Sequence, residues 1–207
     1  MARGRFISLE GGEGVGKSTQ LRALAAALRA RGHDVIETRE PGGSAGAEAI
    51  RALLLDGDAG RWTPAAEALL FAAARADHVA KTILPAVEAG TWVLSDRFLD
   101  SSLAYQGGAD GIGEAVIRQL HAVGSNGFLP DRTLLLALPE AEAAARAAAR
   151  DRGGADRFGA RDAAYHGRVA ATFAAIAAAD PDRFRVVDAS GNAEEVTARL
   201  LAALDGL

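Results

Sequence analysis

Gly11-Gly12-Glu13-Gly14-Val15-Gly16-Lys17-Ser18, followed by Thr19, combines closely spaced glycines with one lysine and one hydroxyl, a combination suited to polyphosphate. The glycines let successive backbone N–H groups turn toward one anion, and a helix starting at the end of the run adds its positive end and unpaired donors. Lys17 can bridge β and γ phosphates as charge moves during transfer, and the Ser18 hydroxyl can sit on magnesium. The run satisfies the G-x-x-x-x-G-K-[ST] pattern of a P-loop. Alone, it specifies a nucleoside triphosphate site common to kinases, GTPases and motor ATPases.

Three further clusters narrow the chemistry. Asp96-Arg97 follows an apolar run ending at Ser95; Asp96 can hold magnesium through water, and Arg97 can grip a phosphate with its planar fork. Arg39 ends a second short apolar segment, before Pro41-Gly42-Gly43, and can approach the same anion from another side. A monophosphate acceptor needs such a clamp, because its phosphate must lie in line with the γ-phosphorus of ATP without being repelled. Phe71, Arg75 and His78 sit at i, i+4 and i+7, on one helical face. Phe71 can stack on a base and Arg75 can hydrogen-bond its edge, although such residues on helices commonly serve as core and solvated surface respectively. His78 by itself reads as structural.

These residues have to be carried by strand ends and helix starts. Phe6 to Leu9 reads as a strand, and Leu21, Leu24, Ala25 and Leu28 recur at helical spacing after it. Val35-Ile36 opens the next strand, and further apolar strands are expected at Trp92 to Ser95, Thr133 to Leu138 and Phe184 to Val187. Alternation of strands with helical stretches predicts an α/β fold: a three-layer P-loop NTPase architecture, with a five-stranded parallel sheet flanked by helices. In such a sheet ligands lie beyond the carboxyl ends of the strands, where the P-loop, Arg39 and Asp96-Arg97 all fall. Tyr165, Val169, Phe173 and Ile176 mark the buried face of an alanine-rich helix. The glycine- and charge-rich stretch at about 151–161 reads as a mobile lid on a single domain spanning 1–207.

Composition excludes several classes. A net charge of −4 gives no electrostatic reason to bind nucleic-acid polymers or anionic membranes. With no cysteine, neither disulfides nor thiolate metal sites are possible. The basic start runs straight into the first strand without a secretory apolar stretch, and no apolar run is long enough to span a bilayer, so a cytoplasmic location is expected.

Taken together, Arg39-Glu40-Pro41-Gly42-Gly43, Phe71 with Arg75, and Asp96-Arg97-Phe98-Leu99-Asp100-Ser101-Ser102-Leu103-Ala104-Tyr105-Gln106-Gly107 resemble the thymidylate kinase family. The likeness runs in order from near residue 6 through Pro130-Asp131 to Asp156-Arg157-Phe158. It implies phosphoryl transfer from Mg·ATP to dTMP, giving dTDP and ADP, with Mg2+ as cofactor and a homodimeric assembly. It also implies that Phe71 stacks on thymine, Arg75 bonds its O4 and Ser102 faces N3. Tyr105 would lie beside the deoxyribose and disfavour a 2′-hydroxyl, Gln106 would lie near the base, and Glu13 would contact the 3′-hydroxyl. Arg39 and Arg97 match acceptor-phosphate ligands. With Glu13-Gly14 in the loop and Arg152 and Arg157 in the lid, the chain is similar to the bacterial arrangement, and Arg157 is the residue expected to close over the phosphates, with Arg152 sharing the work.

The sequence departs from the family at Phe98, Gly159 and Ala137, where a tyrosine or histidine, an acidic residue and another acidic residue are usual. Two other readings stay open: a kinase for another monophosphate or a deoxynucleoside, and a guanine-nucleotide switch. Against the switch, neither Asn126 nor Asn192 is followed by the lysine of a guanine-specificity motif.

Overall fold

A computed structural model of the chain describes residues 3–57, 60–150, 159 and 161–207. Its strands are β1 (Phe6–Glu10), β2 (Val35–Arg39), β3 (Trp92–Asp96), β4 (Arg132–Ala137) and β5 (Phe184–Asp188). They form one parallel sheet in the order β2-β3-β1-β4-β5. The expected five strands are present with ends shifted by a few residues, since a strand's last residues pair by register and carry no apolar signal of their own. β2 extends through polar Glu37, Thr38 and Arg39 because those residues pair with Leu94, Ser95 and Asp96 of β3.

The helices are α1 (Lys17–Ala30), α2 (Ala45–Leu55), α3 (Pro64–His78), α4 (Leu84–Glu88), α5 (Leu99–Ser102), α6 (Glu114–Ser125), α7 (Glu140–Arg150), α8 (Ala163–Ala179) and α9 (Ala193–Ala202). Wider π turns at Val79–Ile83 and Leu103–Ala109 continue α3 and α5. Local chemistry starts several of them. Ser44 and Thr63 accept from Ala47 N and Ala66 N, Pro64 occupies the first turn of α3, and Asn192 and Glu195 form a reciprocal capping box on α9.

β1 is buried along its whole length, as the central strand of a three-layer fold must be. Its alternating side chains feed two cores. Ile7 and Leu9 join Leu21, Leu24 and Leu28 of α1 and Val196 and Leu200 of α9, while Phe6 joins Phe98, Ile117 of α6 and Tyr165, Val169, Phe173 and Ile176 of α8. A polar seam crosses the second face: Arg183 grips both oxygens of fully buried Asp100, at 2.6 and 3.0 Å, and also bonds Thr133 and Asp180. This pair ties the start of β5 to α5, the helix that follows Arg97. Among the described residues, no helix is long and apolar enough to cross a membrane.

Candidate active site

β1 ends at Glu10 and the chain turns through Gly11 (φ 140°), Gly14 (φ 75°) and Gly16 (φ 92°) into α1. These left-handed conformations are open to glycine at little cost. Gly16 is the N-cap, no side chain caps α1, and its first turn holds no acidic residue, so its end remains suited to an anion. Lys17 folds back over the loop, donating to Gly11 O at 3.1 Å and Gly12 O at 2.7 Å. Burial, reinforced by nearby Arg97, lowers the Lys17 pKa to about 8. The Ser18 hydroxyl donates to Asp96 Oδ2 at 2.6 Å, so the two expected magnesium ligands are adjacent oxygens.

At the end of β3 the backbone takes the left-handed conformation at Arg97 (φ 73°), uncommon for a residue with a side chain. Glu10 holds this turn: it is fully buried and accepts from Phe98 N at 2.7 Å and Ser101 Oγ at 2.6 Å. Burial and the neighbouring Asp100 push its pKa up to about 8. The Arg97 guanidinium bonds Gly11 O, Ser101 Oγ, Glu13 and Tyr105 Oη, and lies over the Tyr105 ring. Arg97, Glu13 and Tyr105 are thus one cluster beside the phosphate loop.

From this cluster a cleft of about 420 Å³ opens toward α2 and α3. Glu13, Arg39, Phe71, Arg75, Arg97, Ser102, Tyr105 and Gln106 all line it, so every residue expected to hold an acceptor reaches one cavity. Arg39 there spans both oxygens of Glu48 at 3.1 Å. Arg75 is nearly inaccessible rather than solvated, donating to Glu40 at 2.8 Å and Ser102 Oγ at 2.7 Å. Gln106 donates to Glu67. Phe98 is fully buried, edge-on to the Phe6 ring and beneath the Arg75 guanidinium, which explains how an aromatic without a hydroxyl is accommodated.

A second cleft, of about 400 Å³, runs along the other side of the loop between Thr19, Arg146 and Asn192, and also takes in Gly14, Val15 and Gly16. Lys17 and Ser18 line both clefts. Two ligands with their phosphates toward the loop would therefore meet at these residues.

Sequence reasoning passed over several lining residues. Arg51 faces the first cleft and donates to Pro41 O, and Arg146 faces the second. Each is an arginine on a helix, indistinguishable in sequence from a solvated one; only the i+3 spacing of Arg51 from Glu48, partner of Arg39, carried any signal. Glu40, named only as part of a motif, becomes the partner of Arg75. Arg152 and Arg157, expected to serve a lid, lie outside the described residues.

Residues 9–200 match the family model described as Thymidylate kinase. The chain is 68% identical over 204 residues to a thymidylate kinase of Rhizorhabdus wittichii, covering 99% of this chain and 98% of that protein. It is 50% identical over 200 residues to a thymidylate kinase of Caulobacter vibrioides, covering 97% and 95% respectively. Its fold superposes on the crystal structure of a thymidylate kinase from Ehrlichia chaffeensis with a TM-score of 0.79 at 29% identity, over 98% of this chain and all of that one.

Proposed function

The chain belongs to the thymidylate kinase family and transfers a phosphoryl group from ATP to dTMP; we propose that the two clefts joined at Lys17 and Ser18 hold donor and acceptor end to end. The observation that carries this reading is that both clefts share those two residues. ATP takes the cleft bounded by Gly14 to Thr19 and Arg146, its phosphates wrapped by the loop amides. The acceptor takes the other, with its phosphate at Arg39 and Arg97, its sugar beside Glu13 and Tyr105, and its base against Phe71, Arg75, Ser102 and Gln106.

An oxygen of the acceptor phosphate attacks the γ-phosphorus, the bond from that phosphorus to the β–γ bridging oxygen breaks, and ADP leaves. That phosphate is already ionised at neutral pH, so no general base is required, and rate comes from alignment and charge neutralisation. Lys17 neutralises charge building on the donor, and Arg97 holds the acceptor against repulsion. The adjacent Ser18 and Asp96 oxygens are hard ligands that fit Mg2+, which when bound neutralises phosphate charge. We assign Arg157, assisted by Arg152, to a lid at about 151–161 in a single domain spanning 1–207.

Exposed Leu69 of α3 and Val116 and Val123 of α6 support assembly as a homodimer through these helices. Sedimentation of a Val123→Glu chain should then show monomer where the unaltered chain shows dimer. We place the activity in the cytoplasm, in keeping with its small-molecule substrates.

An ADP-release assay with ATP, magnesium and a panel of monophosphates tests the acceptor site. dTMP should be strongly preferred over dCMP and dGMP, and over dUMP by the margin a single methyl allows, about 1–3 kcal/mol. Equal use of dCMP or dGMP would refute the assignment of the base pocket.

A further inference from the structure

Behind the first cleft lies a continuous buried hydrogen-bonded chain. Arg75 donates from Nε to Glu40 Oε2 at 2.8 Å, and from Nη2 to Ser102 Oγ at 2.7 Å and Phe98 O at 3.3 Å. Among the described residues Nη1 makes no hydrogen bond, so it is the nitrogen left for a ligand. The second Glu40 oxygen, Oε1, lies 3.1 Å from Nδ1 of His78, which is fully buried. Nε2 of His78 lies 2.7 Å from the Thr38 hydroxyl. A carboxylate only accepts, so Nδ1 carries the proton that bonds Glu40, while Nε2 pairs with the Thr38 hydroxyl.

Among the described residues each oxygen of Glu40 therefore has one side-chain partner, Arg75 or His78. The loop after Glu40 packs directly on this ring: a Cβ at Gly43 would collide with His78 Nε2 and with Thr38 Oγ1. Without the imidazole, Glu40 could rotate and the Arg75 fork would lose its fixed plane. That plane matters because arginine has only donors, whereas thymine presents an O4 acceptor where cytosine carries an amino donor.

We propose that His78 is a positioning residue that orients Arg75 through Glu40 and thereby sets selectivity for the acceptor base. This rests on the reading of Arg75 as the group that meets the base edge. His78 is fully buried and does not line the first cleft, so its effect belongs to acceptor recognition rather than to phosphoryl transfer.

Steady-state kinetics of His78→Leu, His78→Gln, Thr38→Val and Arg75→Met with dTMP and dCMP test the proposal. His78→Leu should raise KM for dTMP about tenfold and cut the preference for dTMP over dCMP by about the same factor. Its KM for ATP and its kcat at saturating dTMP should stay within about twofold of the parent. His78→Gln, whose amide can donate to Glu40 and accept from Thr38, should recover most of the loss. If the leucine variant does not fold, Thr38→Val removes only the hydroxyl partner of Nε2 and should move selectivity in the same direction. Parental selectivity in the folded His78 and Thr38 variants, with selectivity lost in Arg75→Met, overturns the positioning role alone. Selectivity retained in Arg75→Met overturns the reading of Arg75 and the proposal with it.

Discussion

Nη2 of Arg97 lies 2.5 Å from the carboxylate of Glu13, a bond that joins the end of β3 to the middle of the phosphate loop. The same guanidinium reaches Gly11 O and Ser101 Oγ. The proposed acceptor grip and donor cradle are therefore joined by direct hydrogen bonds.

Replacing that fork while keeping its charge isolates geometry. Arg97→Lys should lower kcat/KM for dTMP by about 10- to 100-fold, the value of one or two hydrogen bonds to charged groups. KM for ATP should change far less. Equal loss toward both substrates in steady-state kinetics would contradict the assignment of Arg97 to the acceptor.

Lys17 supplies a pH signature. With its pKa lowered to about 8, first by burial and then by Arg97, it loses its charge in the free enzyme as pH rises through about 8. kcat/KM for ATP should fall over that range, whereas kcat, which reports the complex with phosphates beside the amine, should hold to higher pH. Lys17→Ala should nearly abolish turnover. A pH–rate profile of kcat/KM that stays flat to pH 10 would exclude a dependence on the charged amine.

Glu10 should make its mark on stability. Its pKa stands near 8 in the folded chain against an ordinary value of 4.5, so between those values the folded chain binds the extra proton and stability falls as pH rises. The loss is at most about 1.4 kcal/mol per pH unit. Glu10→Gln removes the titration. The melting temperature of the parent should therefore drop relative to the variant from pH 5 to pH 8, and a constant difference would show that Glu10 stays ionised.

Breaking the buried Arg183–Asp100 pair leaves one charge without its partner. Arg183→Ala should cost about 3–5 kcal/mol in urea unfolding. A loss under about 1 kcal/mol would mean that water replaces the guanidinium.

Legibility in the sequence followed range. The P-loop is contiguous and its glycine conformations are local, so its residues could be assigned by type and spacing, and the structure puts Lys17 and Ser18 on both clefts. Phe71 and Arg75 share a helical face by periodicity alone. The same periodicity could not tell that Arg75 is buried, because its partners Glu40 and Ser102 lie 35 and 27 residues away. The placement of Arg146 beside Ala189 and the contacts of His78 with Glu40 and Thr38 were illegible for the same reason.

The sequence by itself determined that a triphosphate-binding turn joins a strand to a helix, and that arginines stand at the ends of two more strands. Those features depend on neighbours within a few residues, where sterics and hydrogen bonding are short in reach. The order β2-β3-β1-β4-β5 was decided only in three dimensions, and with it the meeting of Arg39, Arg97 and Lys17 around one cleft. Strand pairing and burial are collective: a guanidinium gains its partners, and a carboxylate such as Glu10 its altered proton affinity, only after distant segments have excluded water around it.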